Sequence, residues 1–551
     1  MDANPARLIE FFGNFKQSVI PLFQRPYEWK QREWDIFWKD VLEQYEAEDE
    51  TSHFMGAIVT MPAKTVPVGV SKYLVIDGQQ RLTTVAILMC AIRDSLPDDA
   101  KQARNRIQNH YLTNDGYENW EYLKLLPTQL DREAFRALIL CTTSVADSNV
   151  TAAYKHFRNR LIGRDGNDEP IDATRVLEMI ERRLMVVSIN LGDADDPYLI
   201  FESLNFKGSP LTQADLVRNY YLMRFQVSDQ QRVYDELWLP MQKRMGEALT
   251  DFMLRYMMMT TAEVVRKGDI YAQLKRRLQS ESPQEVEASL RSMSLFSEYY
   301  LTFFQPEAEP DPAASRHLAR LRRWEVETAH PLLLVLADRR RSGAMVIEDY
   351  RRCLAAVESY VVRRSVCSLS TNHLQKVFID LAGRVAATAV AEWLIGALID
   401  ATGARRWPTD EEFREQWLKH EVYTYKQDRC KLLLEALEES FEHKEPSTFL
   451  TATIEHVMPQ TLTNEWRVML GESADVDWNR LVNTIGNLTL TGYNSELSNA
   501  PFERKKEHYA ESHFELNKHF ADVEKWDAVA IRARAEALWE HARHIWWCPE
   551  S

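Results

Sequence analysis

Several common signatures are missing from this chain of 551 residues. Its six cysteines include no Cys-x-x-Cys pair, which argues against a paired-cysteine zinc site or a disulfide framework and favours free, buried thiols in a reducing compartment. No Gly-x-x-x-x-Gly-Lys-Ser/Thr loop occurs, so the chain is not a P-loop NTPase. The first residues carry no basic-then-apolar signal pattern, and no apolar run approaches the ~18 residues of a membrane span. We therefore expect a cytoplasmic protein with no membrane partner.

An excess of positive charge is also missing. The net charge is −15, which argues against a protein that coats nucleic acid without specificity and confines any nucleic-acid site to a local basic surface. The composition, 45% hydrophobic and 11% aromatic, is that of a globular chain with room for two or three domains. We expect an α+β, mostly helical protein with an N-terminal domain over 1–225, a helical middle over 226–400 and a C-terminal domain over 401–551.

The chain is organised around a stretch near its C-terminal end. Residues 451–458 favour a short strand that a proline ends, and after a polar loop residues 485–494 favour a second strand and turn. Asn499 is then the predicted N-cap of a helix that has Pro501 in its first turn. The predicted order is strand, strand, helix.

The polar residues of this stretch suit phosphodiester hydrolysis. That reaction needs a base to activate water and a divalent metal to stabilise charge on the leaving oxygen. His456 suits the base because the ordinary pKa of histidine lies near neutral. Glu455 and one downstream asparagine offer the oxygen ligands that Mg²⁺ or Mn²⁺ prefers.

By order and spacing, the stretch resembles the ββα-metal module of the HNH (His-Me finger) endonucleases. That resemblance makes His456 the general base, Asn487 the residue that orients it, and Asn494 a metal ligand beside Glu455. Asn499 competes with Asn494 for the last role. The stretch departs from the commoner HNH pattern because asparagine stands where a final histidine is frequent.

A second constellation lies where a predicted strand, 73–76, meets a predicted apolar helix, 82–92. The two are joined by Asp-Gly-Gln-Gln-Arg. A glycine-containing turn at such a junction directs backbone N–H groups and the helix dipole at an anion, and the arginine adds a guanidinium fork suited to phosphate. The glutamines can hydrogen-bond a phosphate or position water, and the aspartate can hold a metal. The predicted nucleotide-binding residues are Asp77, Gly78, Gln79, Gln80 and Arg81.

A third constellation comes earlier, at 19–29. An apolar strand stops at a proline and continues as an extended segment, because residues that precede proline avoid the helical region. Leu22 and Phe23 then lie beside polar Gln24 and Arg25, which predicts a pocket for a group that ordinary DNA lacks, with the arginine on a neighbouring phosphate. The predicted DNA-sensing residues are Ile20, Pro21, Phe23, Gln24, Arg25 and Tyr27.

The helical middle carries an arginine-rich region. Residues 315–364 contain eleven arginines, no lysine and six acidic residues. They favour either a phosphate-contacting face or solvated helix faces with intrahelical pairs such as Arg323 with Glu327. The tryptophan-rich tail, 539–547, predicts a helix that docks on the nuclease domain.

Three motifs in order carry a resemblance to one family. They are Ile-Pro-x-Phe-Gln-Arg-Pro-Tyr-x-Trp at 20–29, Asp-Gly-Gln-Gln-Arg at 77–81, and Phe-Glu-x-Leu-Asn-x-x-Gly-x-x-Leu-x-x-x-Asp-Leu at 201–216. With the nuclease stretch they resemble the GmrSD-type, modification-dependent (type IV) restriction endonucleases, whose relatives include SspE and BrxU proteins. The resemblance spans nearly the whole chain. One departure is Phe206-Lys207, where the family usually has a Ser/Thr-Arg pair; lysine keeps the positive charge but not the planar fork of arginine.

The resemblance implies a ParB/sulfiredoxin-like N-terminal domain that binds and hydrolyses GTP or ATP, fused to an HNH nuclease. It implies cleavage of modified double-stranded phage DNA in antiviral defence, and a homodimer is compatible with it. The apolar segment at 20–27 favours a sulfur mark on the DNA backbone over a glucosylated base. Two alternatives stay open: a non-cutting, nucleotide-dependent DNA-binding regulator of ParB-like type, and an RNA-directed, toxin-like nuclease.

Overall fold

The computed structural model describes residues 2–13, 15–47, 52–63, 69–142, 147–166, 168–192, 212–225, 227–441, 449 and 451–549. The chain forms two compact units, Met1–Leu239 with Leu274–Leu290, and Pro240–Gln273 with Arg291–Ser551. The expected α+β, mostly helical class is confirmed. The predicted helical middle, 226–400, contributes residues to both units. No helix in the described ranges is long and apolar enough to cross a membrane.

The first unit is built on a six-stranded mixed sheet. Its strands are β1 (Asp2–Arg7), β2 (Lys16–Val19), β3 (His53–Pro62), β4 (Ser71–Asp77), β5 (Leu125–Leu126) and β6 (Leu184–Asn190). Their order in the sheet is β1-β6-β3-β4-β2-β5. The strands β2 and β4 are parallel, whereas β3 and β4 are antiparallel. The strand predicted at 73–76 corresponds to β4.

The helix Gln79–Ser95 is the centre of the first unit's core. All but three of its residues are buried, as expected of a helix that is apolar on every side. The helix Gln31–Glu46 packs Trp34, Phe37 and Trp38 into the same core, on the face that its sequence predicts. The other α-helices of this unit that lie wholly within it are Lys101–Arg106, Arg132–Ile139, Asn149–Leu161, Ala173–Arg182, Gln213–Met223, Val227–Val233.

The helix Gln213–Met223 starts directly after Thr212. Thr212 and Asp215 form a capping box, in which each side chain hydrogen-bonds the other's backbone N–H. The preceding part of the third motif, with Phe206 and Lys207, lies outside the described residues.

The second unit is helical around one small hairpin. Strands β7 (Thr453–His456) and β8 (Leu488–Thr491) pair antiparallel, with His456 opposite Leu488. Helices before the hairpin are Leu249–Thr261, Pro312–Arg323, His330–Arg341, Ile347–Val366, Leu374–Ala382, Val390–Ile399, Asp410–Trp417, Val422–Tyr425 and Gln427–Glu439. Helices within and after it are Asn464–Leu470, Ala474–Leu481, Asn494–Leu497, Phe502–Ala510, Glu515–Lys518 and Ala528–Ile545.

The connection between β7 and β8 differs from the predicted polar loop. It contains two helices, and Trp466 on the first of them is buried in an aromatic cluster with Phe502 and Trp526. The predicted N-cap at Asn499 is also wrong, because the next helix begins at Phe502 and has Pro501 at its N-cap position without a side-chain cap. The order of strand, strand and helix is nevertheless the one predicted.

Three arginines of the arginine-rich region, 315–364, make their contacts within the second unit. Arg363 and Arg364 are buried and donate to backbone carbonyls, including those of Trp546 and Arg406. Arg323 pairs with Glu435 and not with Glu327. These three arginines therefore do not form a phosphate-contacting face, because Arg363 and Arg364 are buried against carbonyls and Arg323 is paired with a glutamate.

The cysteines agree in part with the expected buried thiols. All six are free; Cys90, Cys353 and Cys430 are buried, whereas Cys141 is exposed.

Candidate active site

The end of β7 opens into a cleft of about 390 Å³. Its lining combines four residues that the sequence predicted with five that it did not. The predicted ones are Glu455, His456, Asn494 and Asn499, and the others are Tyr423, Ile454, Pro459, Gln460 and Ser498. Asn487 is not among the lining residues.

His456 is held by contacts on two sides of its ring. Its Nε2 lies 3.2 Å from Oδ1 of Asn483, and its ring stands edge-on to Tyr423 at 4.4 Å between centroids. Nε2 also lies 3.5 Å from Nε2 of Gln460, an amide donor. The Asn483 oxygen is the closer of the two and only accepts, so it favours the tautomer with the proton on Nε2 and the basic nitrogen at Nδ1. Burial lowers the pKa of His456 to about 4, and the nearby Lys505 charge acts in the same direction. The imidazole is therefore neutral at physiological pH.

Asn487 acts on the backbone beside His456 and not on its ring. Its side chain accepts from the Met458 N–H at 2.8 Å and from Trp526 Nε1 at 2.9 Å, and donates to the carbonyls of Met458 and Val482. The expectation that Asn487 orients the imidazole directly is thus corrected: Asn483 is the amide that contacts the ring. Asn487 instead fixes the chain that leaves β7.

Gly486, just before Asn487, is required by close packing. A Cβ at this position would lie 2.3 Å from the carbonyl oxygen of Ile531 on the helix Ala528–Ile545. The same helix supplies Arg534, which is fully buried and donates to the carbonyls of Gly486 and Leu488. The first half of this helix, before the tryptophan-rich tail at 539–547, therefore packs against the turn that carries Asn487.

Glu455 forms a buried ion pair with Lys505. Its Oε1 lies 2.5 Å from Nζ of Lys505, and the same ammonium donates to the His456 carbonyl at 2.7 Å. Burial raises the pKa of the carboxyl and lowers the pKa of the ammonium, while each charge partly offsets the effect on the other. The pair joins the helix Phe502–Ala510 to β7.

The cleft offers few ligands to a metal. Nδ2 of Asn494 donates to the Ile454 carbonyl at 3.1 Å, which turns its amide towards β7, and Asn499 is exposed. Within the described ranges no three His, Cys, Asp or Glu side chains form a metal-binding group. A single carboxylate with an amide oxygen fits Mg²⁺, which keeps several waters and takes the rest of its ligands from substrate phosphate. These residues do not fit a metal that needs a closed protein cage.

In the first unit, the predicted strand-to-helix junction exists as expected. Gly78 has φ +95°, and a Cβ there would lie 2.9 Å from Cγ1 of Ile58, so both backbone conformation and space require glycine. Arg81 donates to the Met55 carbonyl at 2.7 Å and pairs with Asp77 at 3.3 Å. Burial raises the pKa of Asp77, and the Arg81 charge opposes that shift.

A second glycine makes room for Arg81. Gly56 lies in β3 with φ +92°, between Phe54 and Ala57 where the register to β6 shifts. A Cβ at Gly56 would lie 2.2 Å from an Arg81 guanidinium nitrogen. The position of the Arg81 side chain therefore depends on two segments of the sequence: the junction that contains Arg81 and the strand β3 that contains Gly56.

The two glutamines of the junction differ. Gln80 accepts from the Glu28 N–H at 3.0 Å and donates to the Pro26 carbonyl at 2.9 Å, so its amide is used by the fold. Oε1 of Gln79 is buried and has no hydrogen-bond partner among the described residues. Gln79 is thus the junction side chain with unmet hydrogen-bonding capacity.

The predicted DNA-sensing segment is mostly interior. Ile20, Pro21, Phe23, Gln24 and Tyr27 are buried. The Tyr27 hydroxyl bonds Thr84 and Trp34, the Gln24 amide donates to the Ile76 carbonyl at 2.7 Å, and Arg218 donates to the Phe23 carbonyl.

An accessible apolar pocket at Phe23 is therefore wrong for this structure, because the apolar side chain that was to contact the mark belongs to the core. Arg25 remains partly accessible and pairs with Glu28.

Sequence reasoning missed four residues that shape these sites: Tyr423, Asn483, Lys505 and Gly56. Asn483 lies four positions before Asn487, and the run Asn-Thr-Ile-Gly-Asn was a usable signal. Lys505 lies between two other basic residues of a helix, where only the structure shows that it points inward. Tyr423 comes from a segment about 30 residues before β7 and has no local signal.

Both ends of the chain match models of one family. Residues 8–222 match the N-terminal domain of GmrSD restriction endonucleases. Residues 407–541 match the C-terminal domain of GmrSD restriction endonucleases. Together the two matches cover more than half of the chain and include both the junction at Gly78 and the cleft at His456. No curated protein matches the chain.

Proposed function

Because the chain belongs to the GmrSD restriction endonuclease family, we propose that it is a metal-dependent DNA endonuclease of HNH type that cuts at the His456 cleft. The observation that carries this assignment is a buried, neutral histidine whose ring is fixed by Asn483 and Tyr423 at the mouth of a polar cleft. A restriction endonuclease acts on DNA, so the proposal concerns how this chain does so.

In the proposed reaction His456 is the general base. Nε2 is held as a donor by Asn483, so Nδ1 takes the proton of the attacking water. The lowered pKa keeps the base in its neutral form throughout the physiological range. Asn487 acts as a positioning residue, because it fixes the Met458 backbone two residues beyond the base.

The proposed metal is Mg²⁺ or Mn²⁺, held by Glu455 and by Asn494 or Asn499. When bound, it would stabilise the charge on the leaving oxygen. Lys505 places an ammonium 2.5 Å from one oxygen of the buried Glu455 carboxylate, which favours its ionised form and opposes the rise in pKa that burial causes. Glu455 lines the cleft beside this pair.

The proposal gives the N-terminal domain a regulatory role through a nucleotide, GTP or ATP. Gly78 opens a 17-residue helix whose first N–H groups and dipole attract phosphate. Arg81 and Arg25 supply positive charge beside this helix end. The unpaired oxygen of Gln79 is an acceptor, so it suits a hydroxyl or N–H donor of the nucleotide better than its phosphates.

The biological role proposed is cleavage of modified phage DNA in antiviral defence. A protein that spares unmodified DNA needs its cutting centre to depend on a second site, and the two family domains provide two candidate sites on one chain. Because Phe23 is buried, it does not offer an apolar contact to a sulfur mark on the DNA.

The experiment is plasmid nicking by the full-length protein with Mg²⁺ or Mn²⁺, with and without EDTA. Replacing His456 by alanine should lower the nicking rate by roughly 10²–10⁴-fold, because general-base catalysis is lost. His513→Ala, at an exposed histidine of the same unit, is the matched control and should cut normally. Wild-type cutting by His456→Ala, or undiminished cutting in EDTA, would refute the assignment.

A further inference from the structure

A second cavity, of about 380 Å³, lies in the same unit as the His456 cleft. It is formed where the loop that follows the helix Ile347–Val366 meets the segment 420–433. Its volume lies within the usual range for small-molecule sites and exceeds the space that a single phosphate ion needs. The proposed nuclease reaction uses none of its residues.

The lining is basic and rich in hydroxyl groups. Lys426 and Arg429 enter from one side with His420, and the loop opposite contributes four hydroxyls, from Ser365, Ser368, Ser370 and Thr371. No Asp or Glu side chain is among the lining residues, but Lys426 pairs with Glu325 beside the cavity. Arginine, lysine and hydroxyl donors around one space are the groups that bind phosphate.

Arg429 has donor capacity that the protein does not use. One guanidinium nitrogen donates to the Trp324 carbonyl at 2.9 Å, and the group lies over the Trp324 ring at 5.3 Å. Its Nε is buried without a hydrogen-bond partner in the described part of the chain, and its nearest carboxylate, Glu325, is 3.9 Å away. An unmet buried donor of a cation is an unfavourable feature that a bound anion would relieve.

A residue that lines the cavity is adjacent in the chain to a residue that lines the His456 cleft. Val422 lines the cavity, whereas the adjacent Tyr423 lines the cleft and contacts the His456 ring. Tyr423 is also tied to the element that holds Asn487, because its N–H donates to the Asn483 carbonyl at 3.4 Å. A ligand that contacts His420, Val422 and Lys426 therefore sets the position of the segment that packs on the base.

We propose that this cavity binds a phosphate-bearing ligand of nucleotide size, and that the bound ligand stabilises the segment 420–426 against His456. Binding of this ligand does not depend on the proposed function. The effect of the bound ligand on DNA cutting rests on the proposal that His456 is the catalytic base. The phosphate can come from a free nucleotide or from a nucleotide of the DNA substrate, because the same side chains recognise both.

The test is calorimetric titration of the full-length protein in EDTA with three separate probes: inorganic pyrophosphate, ATP and a short DNA duplex. Lys426→Gln removes one cation from the cavity, and Lys419→Gln is its control. The two lysines are equally exposed, at 49% and 50%, and each pairs with one glutamate, but Lys419 lies outside the cavity. The wild type and both variants keep the junction near Gly78, so any ligand bound there contributes equally to all three titrations and does not affect the comparison.

We expect Lys426→Gln to weaken binding of at least one probe about tenfold, as removal of a charge-assisted hydrogen bond should, while Lys419→Gln binds as the wild type does. A loss confined to the duplex identifies DNA as the source of the phosphate, and a loss with pyrophosphate or ATP identifies a free nucleotide. No binding of any probe, or equal loss in the two variants, would overturn the proposal. Because EDTA prevents metal-dependent cutting, a failed nuclease assignment leaves this binding result unaffected.

Discussion

The polar side chains of the His456 cleft and those of the Gly78 junction differ in how far the protein itself uses their hydrogen-bonding groups. At the cleft, Asn494 and Asn499 are exposed and one ring nitrogen of His456 is left basic. At the junction, Gln80 is fully used by the backbone of another segment, and Arg81 is fixed by a carbonyl and a carboxylate. The cleft is therefore arranged for chemistry on a ligand, and the junction is arranged first for the fold and only second for binding.

The largest expected effect is on stability at the cleft. Lys505→Met should lower the free energy of unfolding of the second unit by about 3–5 kcal/mol, because it leaves the buried Glu455 carboxylate without its partner. Urea unfolding measures the change. Lys518→Met, at a lysine that is 61% exposed, is the control and should change little.

Replacing both members of the pair sharpens this test. Glu455→Gln combined with Lys505→Met should regain most of the lost stability, since neither buried charge then remains. A Lys505→Met variant within about 0.5 kcal/mol of the wild type would show that the pair contributes nothing measurable.

The next effect concerns binding at the junction. Arg81→Ala should weaken nucleotide binding about ten- to a hundredfold, because it removes a charged donor beside the helix N-terminus. Calorimetry with GTP and ATP measures it. Unchanged affinity would mean that Arg81, held by Met55 and Asp77, is only structural.

The smallest expected effects come from replacing the two glutamines of the junction, and they should differ between Gln79 and Gln80. Gln80→Ala should cost about 1–3 kcal/mol of stability, because it leaves the Glu28 N–H and the Pro26 carbonyl without their partners. Gln79→Ala should cost less and should instead weaken nucleotide binding, because its Oε1 has no partner in the described residues. Urea unfolding and calorimetry on the two variants measure both quantities. Equal behaviour of the pair would contradict the distinction.

The sequence was informative where local chemistry decides structure. Asp-Gly-Gln-Gln-Arg predicted a strand-to-helix junction, because a left-handed backbone at glycine is a local property. The resemblance to HNH endonucleases implied that Glu455, His456 and Asn494 share one site, and all three line one cleft.

The sequence was misleading where burial decides the role of a residue. Phe23 and Tyr27 have the types expected of a sensor, yet they pack inside the first unit, and Arg363 has the charge expected of a phosphate contact, yet it binds carbonyls in the interior. Whether a side chain points inward depends on distant segments. Lys505 was missed for the same reason.

The central claim is that His456, in its neutral form, is the base for DNA cleavage. The most direct measurement is the pH dependence of single-turnover nicking by the full-length protein at saturating Mg²⁺. Because burial lowers the pKa of His456 to about 4, protonation removes the base only as the pH falls towards that value. The rate should therefore change by no more than about twofold between about pH 5.5 and about pH 7.5. An acid limb centred near about 6.5, the ordinary histidine value, would contradict the claim.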